Sequence, residues 1–181
     1  MNLESLFHFF FEHRYLLVMF FLTYLLTRAL PLKKTKHDKK IKTADYVIKK
    51  IGNFTPPQKL GYLRKIDPYS FEELIMTCLE RKGFPIKRNE RYSNDGGIDG
   101  RFFVNGEMYL IQAKRYQKEI RYDHLEEFSN ILSRQNCKGL FVHTGKTPKN
   151  ISERNINMDN ITIISGSRLL ALFDTDVKLK F

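Results

Sequence analysis

Two hydrophobic regimes divide this chain. Up to Leu32 the apolar residues run together in near-unbroken blocks, and from Asp67 onward they alternate with polar residues at helical or strand spacing. From Tyr15 to Thr27 all 13 residues are apolar, aromatic or Thr, and extension to Leu32 gives 18 residues with Arg28 the one charge. A membrane span takes about 20 apolar residues, and an Arg near its end can snorkel to the headgroups. The run therefore predicts one N-terminal transmembrane helix, with a cleaved signal peptide and a buried helix as rival readings. Glu12, His13 and Arg14 precede the run with mixed charge, and no clear small-residue cleavage site follows it, which disfavours the signal peptide. Between 41 and 66, short helical patterns are broken at Gly52 and at Pro56-Pro57. They read as a connector, too short for an independent DNA-reading domain.

From Asp67 the spacing becomes regular. Ser70-Phe-Glu-Glu73 reads as a capping box that opens a helix, and Gly83 closes it. Phe71, Leu74, Ile75, Cys78 and Leu79 form its apolar stripe. Helical phase puts Glu72 on the flank of that stripe, within reach of a sheet edge, and Glu73 nearly opposite, toward cap and solvent. Strands are expected near Pro85 to Arg91 and from Ile98 to Val104. Asn105-Gly106 is a type I′ hairpin signal, with Met108 to Lys114 as the return strand. Tyr122 to Gln135 then reads as helix, Gly139 to Thr144 as a short buried strand, and Pro148 to Asn157 as helix. Ile161 to Ile164 is a last strand and Arg168 to Phe173 a closing helix. This order, αβββαβαβα, predicts an α/β sandwich around a mixed sheet.

Charge changes the picture by its distribution. The formal net charge is +11, yet residues 33–50 carry eight Lys against Asp38 and Asp45, while 67–181 hold 18 basic and 16 acidic side chains. The basic excess thus sits beside the N-terminal run, and the near-neutral C-terminal part is no strong sequence-independent nucleic-acid binder. Lys33 to Lys42, directly after the run, predict by the positive-inside bias that the C-terminal part is cytoplasmic. The same lysines suit an anionic leaflet, and a solvated linker is an equal reading. Cys78 and Cys137 make no disulfide framework, and Cys78 reads as a small core hydrophobe. The five His are scattered and suggest no zinc site.

The hairpin register places the candidate chemistry. With a two-residue turn at Asn105-Gly106, Val104 opposes Glu107, Phe102 opposes Tyr109, and Asp99 falls across from Gln112. Two residues on, Lys114 shares that face. A carboxylate and an amide oxygen are both hard ligands for Mg²⁺, and an ammonium beside them suits a water nucleophile or a developing oxyanion. Taken alone, Gln112 and Lys114 are most simply an edge-strand polar pair.

The flanking residues sharpen this. Asp95-Gly-Gly-Ile-Asp-Gly100, followed by Ile111-Gln-Ala-Lys-Arg-Tyr116, closely resembles the catalytic motif of Mrr-type restriction endonucleases in the PD-(D/E)XK superfamily. Phe71-Glu-Glu-Leu74 before Gly83-Phe84 resembles that family's first helix, which contributes a Glu, and Gly139 to Gly145 resembles its buried strand and following loop. The resemblance covers about residues 68–173. It implies that Asp99 and Gln112 are metal ligands, that Lys114 is the catalytic lysine, and that the cofactor is Mg²⁺ or Mn²⁺. Glu72 is assigned from helical phase as an outer metal or water-positioning ligand, with an exposed flank carboxylate as the alternative. Asp95 reads first as the cap of the Gly96-Gly97 turn. Arg115, Lys118, Arg121, Lys146 and Lys149 are candidate DNA-backbone contacts that read equally as surface charge, and Tyr116 reads as packing.

The expectation is thus an anchor over 1–32, a basic linker over 33–66 and an Mrr-like nuclease domain over 67–181. Its function would be metal-dependent DNA cleavage in restriction or defence, at the inner or cell membrane, with DNA and membrane lipid as partners and a homodimer left open. A structure-specific nuclease resembling junction resolvases, and a non-catalytic membrane-tethered nucleic-acid binder, are the alternatives.

Overall fold

The computed structural model describes residues 4, 8, 11–29, 36–89, 97–149, 156–174 and 177. Two compact units divide the chain, Met1–Thr35 and Lys36–Phe181. In the first, helix α1 spans Arg14–Ala29. Leu16, Met19, Phe20, Phe21 and Leu22 are each more than half exposed on it. Its 16 residues give roughly 24 Å at 1.5 Å per residue, short of a hydrocarbon core of about 30 Å. Among the described residues no helix is long and apolar enough to cross a membrane. The expected span differs in extent, because it ran on to Leu32 and residues 30–32 lie outside the described residues.

The second unit opens with α2 (Lys36–Ile51) and α3 (Pro56–Leu63), the two patterns separated at Gly52 and Pro56-Pro57. These are more than a connecting path. Ala44, Val47, Ile51 and Leu63 are buried in the same core as the sheet, and α2 packs along the next helix, α4 (Pro68–Arg81).

Helix α4 begins earlier than the capping-box reading placed it. Asp67 is the N-cap, accepting from the Ser70 N–H at 2.9 Å, and Pro68 follows it in the first turn. Proline is pre-set for that position and lacks the N–H that would go unpaired there. The Ser70 hydroxyl also bonds Asp67, at 3.0 Å. Glu73 therefore has no capping role. It is fully buried and paired with Arg88 of the first strand. The phase argument assumed one buried face, whereas sheet and α2 bury Ser70, Phe71 and the whole run Glu73 to Leu79. Only Glu72 within that turn stays half-buried.

Five strands form one sheet in the order β1-β2-β3-β4-β5: β1 (Ile86–Arg88), β2 (Gly100–Val104), β3 (Glu107–Lys114), β4 (Lys138–His143) and β5 (Ile161–Ile164). The first three are antiparallel and the last three parallel, so the sheet is mixed as expected. Asn105 and Gly106 both take positive φ, 50° and 86°, as a type I′ turn demands. The pairing Val104↔Glu107 through Gly100↔Ile111 fits the expected register.

Helix α5 (Tyr122–Gln135) covers one face with Leu125, Phe128, Ile131 and Leu132, and ends at Asn136 in the left-handed region. It rides close because of Gly139: a Cβ there would lie 2.5 Å from Phe128 Cζ and 2.7 Å from Leu132. Helix α4 lies on the other face with Phe71, Leu74, Ile75 and Leu79 fully buried. Each such side chain contributes about 1.5–3 kcal/mol by leaving water. The closing helix α6 spans Gly166–Ala171, two residues ahead of its expected start. Most of the helix expected over Pro148 to Asn157 lies outside the described residues.

Candidate active site

Strand β2 ends its regular pairing at Gly100, and the departure is made by Asp99. Its backbone N–H donates to the Ile111 carbonyl at 2.9 Å. Its carboxylate Oδ2 accepts from the Ala113 N–H at 2.6 Å. Where the neighbouring strand no longer supplies a carbonyl, the carboxylate completes β3 and is pinned against it. Gln112 and Lys114 flank Ala113 on β3, so the hairpin brings Asp99, Gln112 and Lys114 to one end of the sheet.

Gln112 is buried at 1 % exposure. Its Nε2 donates to the Gly97 carbonyl at 2.8 Å, which fixes the amide plane, and Oε1 is left buried without a hydrogen-bond partner among the described residues. Gly97 has φ +81°, and a Cβ on it would meet Gln112 Nε2 at 2.7 Å and Lys114 Nζ at 3.9 Å. Glycine is needed here for both its backbone conformation and its missing side chain. Lys114 is half-buried, and among the described residues its ammonium makes no hydrogen bond.

Glu72 arrives from the first turns of α4. Burial pushes its carboxyl up to about 8, reinforced by the nearby Asp99 charge and opposed by Lys114. Asp99 is pushed up to about 7 by burial, against the pull of the Ala113 hydrogen bond and Lys114. Two carboxyls in one desolvated corner resist being ionised together, and one nearby ammonium does not offset that. A cation would.

Whether these residues suit a divalent metal is decided by the donor set. The orphaned Gln112 oxygen, two carboxylates whose anionic forms lack compensation and a site at the sheet end suit a hard cation with oxygen ligands. Among the described residues no cluster of three His, Cys, Asp or Glu is present, so the third protein oxygen would have to be the amide.

The other sequence candidates scatter. Asp95 lies outside the described residues. Arg115 Nη1 donates to the Arg64 carbonyl at 3.0 Å, and Gln117 Nε2 reaches the same oxygen at 3.0 Å. Arg64 Nε in turn donates to the Thr144 carbonyl at 3.0 Å. These bonds tie the end of α3 to the loop that follows Lys114. Arg121 is engaged by Asp123. Lys118 and Lys146 are exposed on loops joined by the Lys146 N–H to Lys118 carbonyl bond at 2.9 Å, and Lys149 is exposed too.

Two histidines, His143 and His124, escaped the sequence reading as members of this region. His143 pairs in register with Lys114, is fully buried, and is pushed down to about 4 by burial. Its Nε2 lies 3.1 Å from Thr147 Oγ1. Tyr116 Oη lies 2.6 Å from His124 Nδ1. A hairpin register can be counted, but the parallel β3/β4 register is set through a helical crossover and leaves no countable signal for these pairings.

Comparison with known proteins bears on the family of the chain. The Mrr_cat restriction endonuclease family matches residues 63–173. The chain is also similar to the type IV methyl-directed restriction enzyme EcoKMrr of Escherichia coli (strain K12), with 26% identity over 136 residues. That alignment covers 71% of this chain and 45% of the relative, so the chain matches less than half of the relative's length.

Proposed function

The chain belongs to the Mrr_cat restriction endonuclease family, and on that premise we propose that it is a metal-dependent endonuclease that hydrolyses DNA phosphodiesters in restriction of foreign DNA. The observation that carries this reading is the buried Gln112 Oε1, without a hydrogen-bond partner among the described residues, at one end of the sheet with Asp99 and Lys114. A buried acceptor without a partner costs about 1–3 kcal/mol, and a ligand that it can coordinate removes that cost. Gln112, Asp99 and Glu72 would hold the metal, Mg²⁺ or Mn²⁺. When bound, it supplies positive charge against the phosphate and favours deprotonation of the attacking water.

The chain's own residues account for the remaining requirements. Asp99 is oriented by the Ala113 N–H, and Gln112 by the Gly97 carbonyl, so neither donor needs reordering at the moment of reaction. Lys114, free of a hydrogen-bond partner among the described residues, would face the substrate. There it would orient the water or stabilise charge on the pentavalent phosphorus oxygens. The direct test is nicking of supercoiled plasmid with and without Mg²⁺.

The N-terminal helix supports a second component of the reading, association with a membrane. Apolar side chains are exposed on α1, and Lys33 to Lys42 follow it in sequence. Hydrocarbon would cover the first and an anionic cytoplasmic leaflet would attract the second. On this reading the nuclease unit would lie on the cytoplasmic side of the cell membrane.

A further inference from the structure

The loop after β3 and the start of α5 meet through one side-chain pair that the chemistry above leaves unused. Tyr116 stands two residues beyond Lys114, and its hydroxyl lies 2.6 Å from His124 Nδ1. The Arg121 backbone N–H, at the start of α5, also favours negative charge on this hydroxyl oxygen. With that N–H beside the oxygen, the phenolic hydrogen is directed to the imidazole, and Nδ1 is the acceptor. A neutral imidazole that accepts at Nδ1 carries its proton at Nε2. Burial holds His124 toward that neutral form, and the Lys114 charge adds to the effect, so the ring lies within electrostatic reach of Lys114. Among the described residues Nε2 has no hydrogen-bond partner.

Tyr116 itself is well fixed. Its backbone N–H donates to Thr144 Oγ1 at 2.9 Å, and the Thr144 hydroxyl donates back to its carbonyl at 3.0 Å. Its ring also makes an edge contact with His143, with centroids 6.1 Å apart. This is more support than a surface aromatic needs, and it holds the His124 ring within electrostatic reach of Lys114.

We propose that His124, held in its Nε2–H form by Tyr116, is a substrate-binding residue that donates a hydrogen bond to a DNA phosphate oxygen beside Lys114. The inference rests on the nuclease reading for the identity of the ligand. It assigns His124 to the phosphodiester backbone, the group on which the neighbouring Lys114 is read to act, where a contact fixes register and carries no sequence information.

The discriminating experiment uses two amides. His124→Asn places its amide group near the position of Nδ1, so its oxygen can still accept from Tyr116 while the distal donor is lost. His124→Gln places an N–H near the position of Nε2 and preserves the distal donor. The full chain and both variants are compared for equilibrium binding of a short DNA duplex over a salt series, with thermal midpoints as the folding control. The proposal expects His124→Asn to fold normally and bind DNA about tenfold more weakly, and His124→Gln to recover most of the affinity. The salt slope should be unchanged in both, because a neutral donor releases no counterion. Wild-type affinity in His124→Asn, or weaker binding in His124→Gln than in His124→Asn, overturns it and leaves His124 as a structural partner of Tyr116. The binding readout is independent of cleavage. If wild type fails to nick plasmid in Mg²⁺ while the two amides still separate in binding, the nuclease reading falls and the phosphate contact stands.

Discussion

Gln112 gives its amide hydrogen to the Gly97 carbonyl at 2.8 Å, and that one bond turns its oxygen away from every other described donor. A Cβ on Gly97 would lie 2.7 Å from the Gln112 nitrogen, and φ of +81° is strained for any residue that has one. Gly97→Ala should therefore displace Gln112 rather than unfold the sheet. Expected is a fall of at least about tenfold in kcat/KM and a weaker Mg²⁺ response, with a loss of stability of about 1–2 kcal/mol. Nicking kinetics and a thermal melt check it together; unchanged kinetics would mean the Gln112 orientation is unimportant.

The hairpin part of this site was readable from sequence because counting out from Asn105-Gly106 fixes both register and face. The Gly100↔Ile111 pairing and the Asp99 contact with β3 follow from it. Helix α5 and strand β5 were readable for a similar local reason, since one amphipathic period and one apolar run each decide them. Long-range packing was not readable. The buried state of Glu73 depends on α2 lying along α4 and on Arg88 arriving from β1. Residues 41–66 looked like a connector because their short helical patterns are broken at Gly52 and Pro56-Pro57, yet Ala44, Val47, Ile51 and Leu63 all reach the core.

The two neighbouring glutamates should separate function from stability. Glu72 carries a carboxyl raised by burial and by Asp99, so Glu72→Gln removes repulsion and should leave the fold as stable as wild type, or more so, while Mg²⁺-dependent cleavage falls at least tenfold. Glu73→Ala leaves the half-buried Arg88 guanidinium with Glu80 as its one remaining ion-pair partner among the described residues, at 2.8 Å and 3.0 Å. It should cost about 1–3 kcal/mol, less than the loss of a fully buried pair because Glu80 still compensates the charge. Denaturant melts and nicking rates on both variants decide the matter. Retained activity in Glu72→Gln would remove it from the site.

Metal response should depend on pH in a defined direction. The Glu72 and Asp99 carboxyls are raised to about 8 and about 7, above ordinary unfolded values near 4. Between about pH 4.5 and 8 the metal-free folded state thus binds more protons than the unfolded state, and its stability falls as pH rises through that window. Mg²⁺ requires the ionised carboxylates. The rise in thermal midpoint on adding Mg²⁺ should accordingly be larger at pH 8.5 than at pH 6. An equal or smaller rise at the higher pH would place the metal away from these two groups.

For the N-terminal helix, the full chain is expected in the membrane fraction and should resist extraction by 1 M salt, because burial of Leu16, Phe20 and Phe21 in hydrocarbon is not screened. Release by salt alone would assign the retention to Lys33 to Lys42 instead, since that attraction is screened over about 3 Å at such ionic strength.

The central claim is that Lys114 acts on the phosphodiester at a metal-dependent site, and plasmid nicking by wild type and Lys114→Ala in Mg²⁺ measures it most directly. Wild type should nick supercoiled DNA and stop on chelation. Lys114→Ala should keep its fold and bind DNA within a few-fold of wild type, while its single-turnover rate falls by about 10²-fold or more, the loss expected when transition-state charge stabilisation is removed. A Lys114→Ala variant that cleaves within a factor of a few of wild type would contradict the assignment.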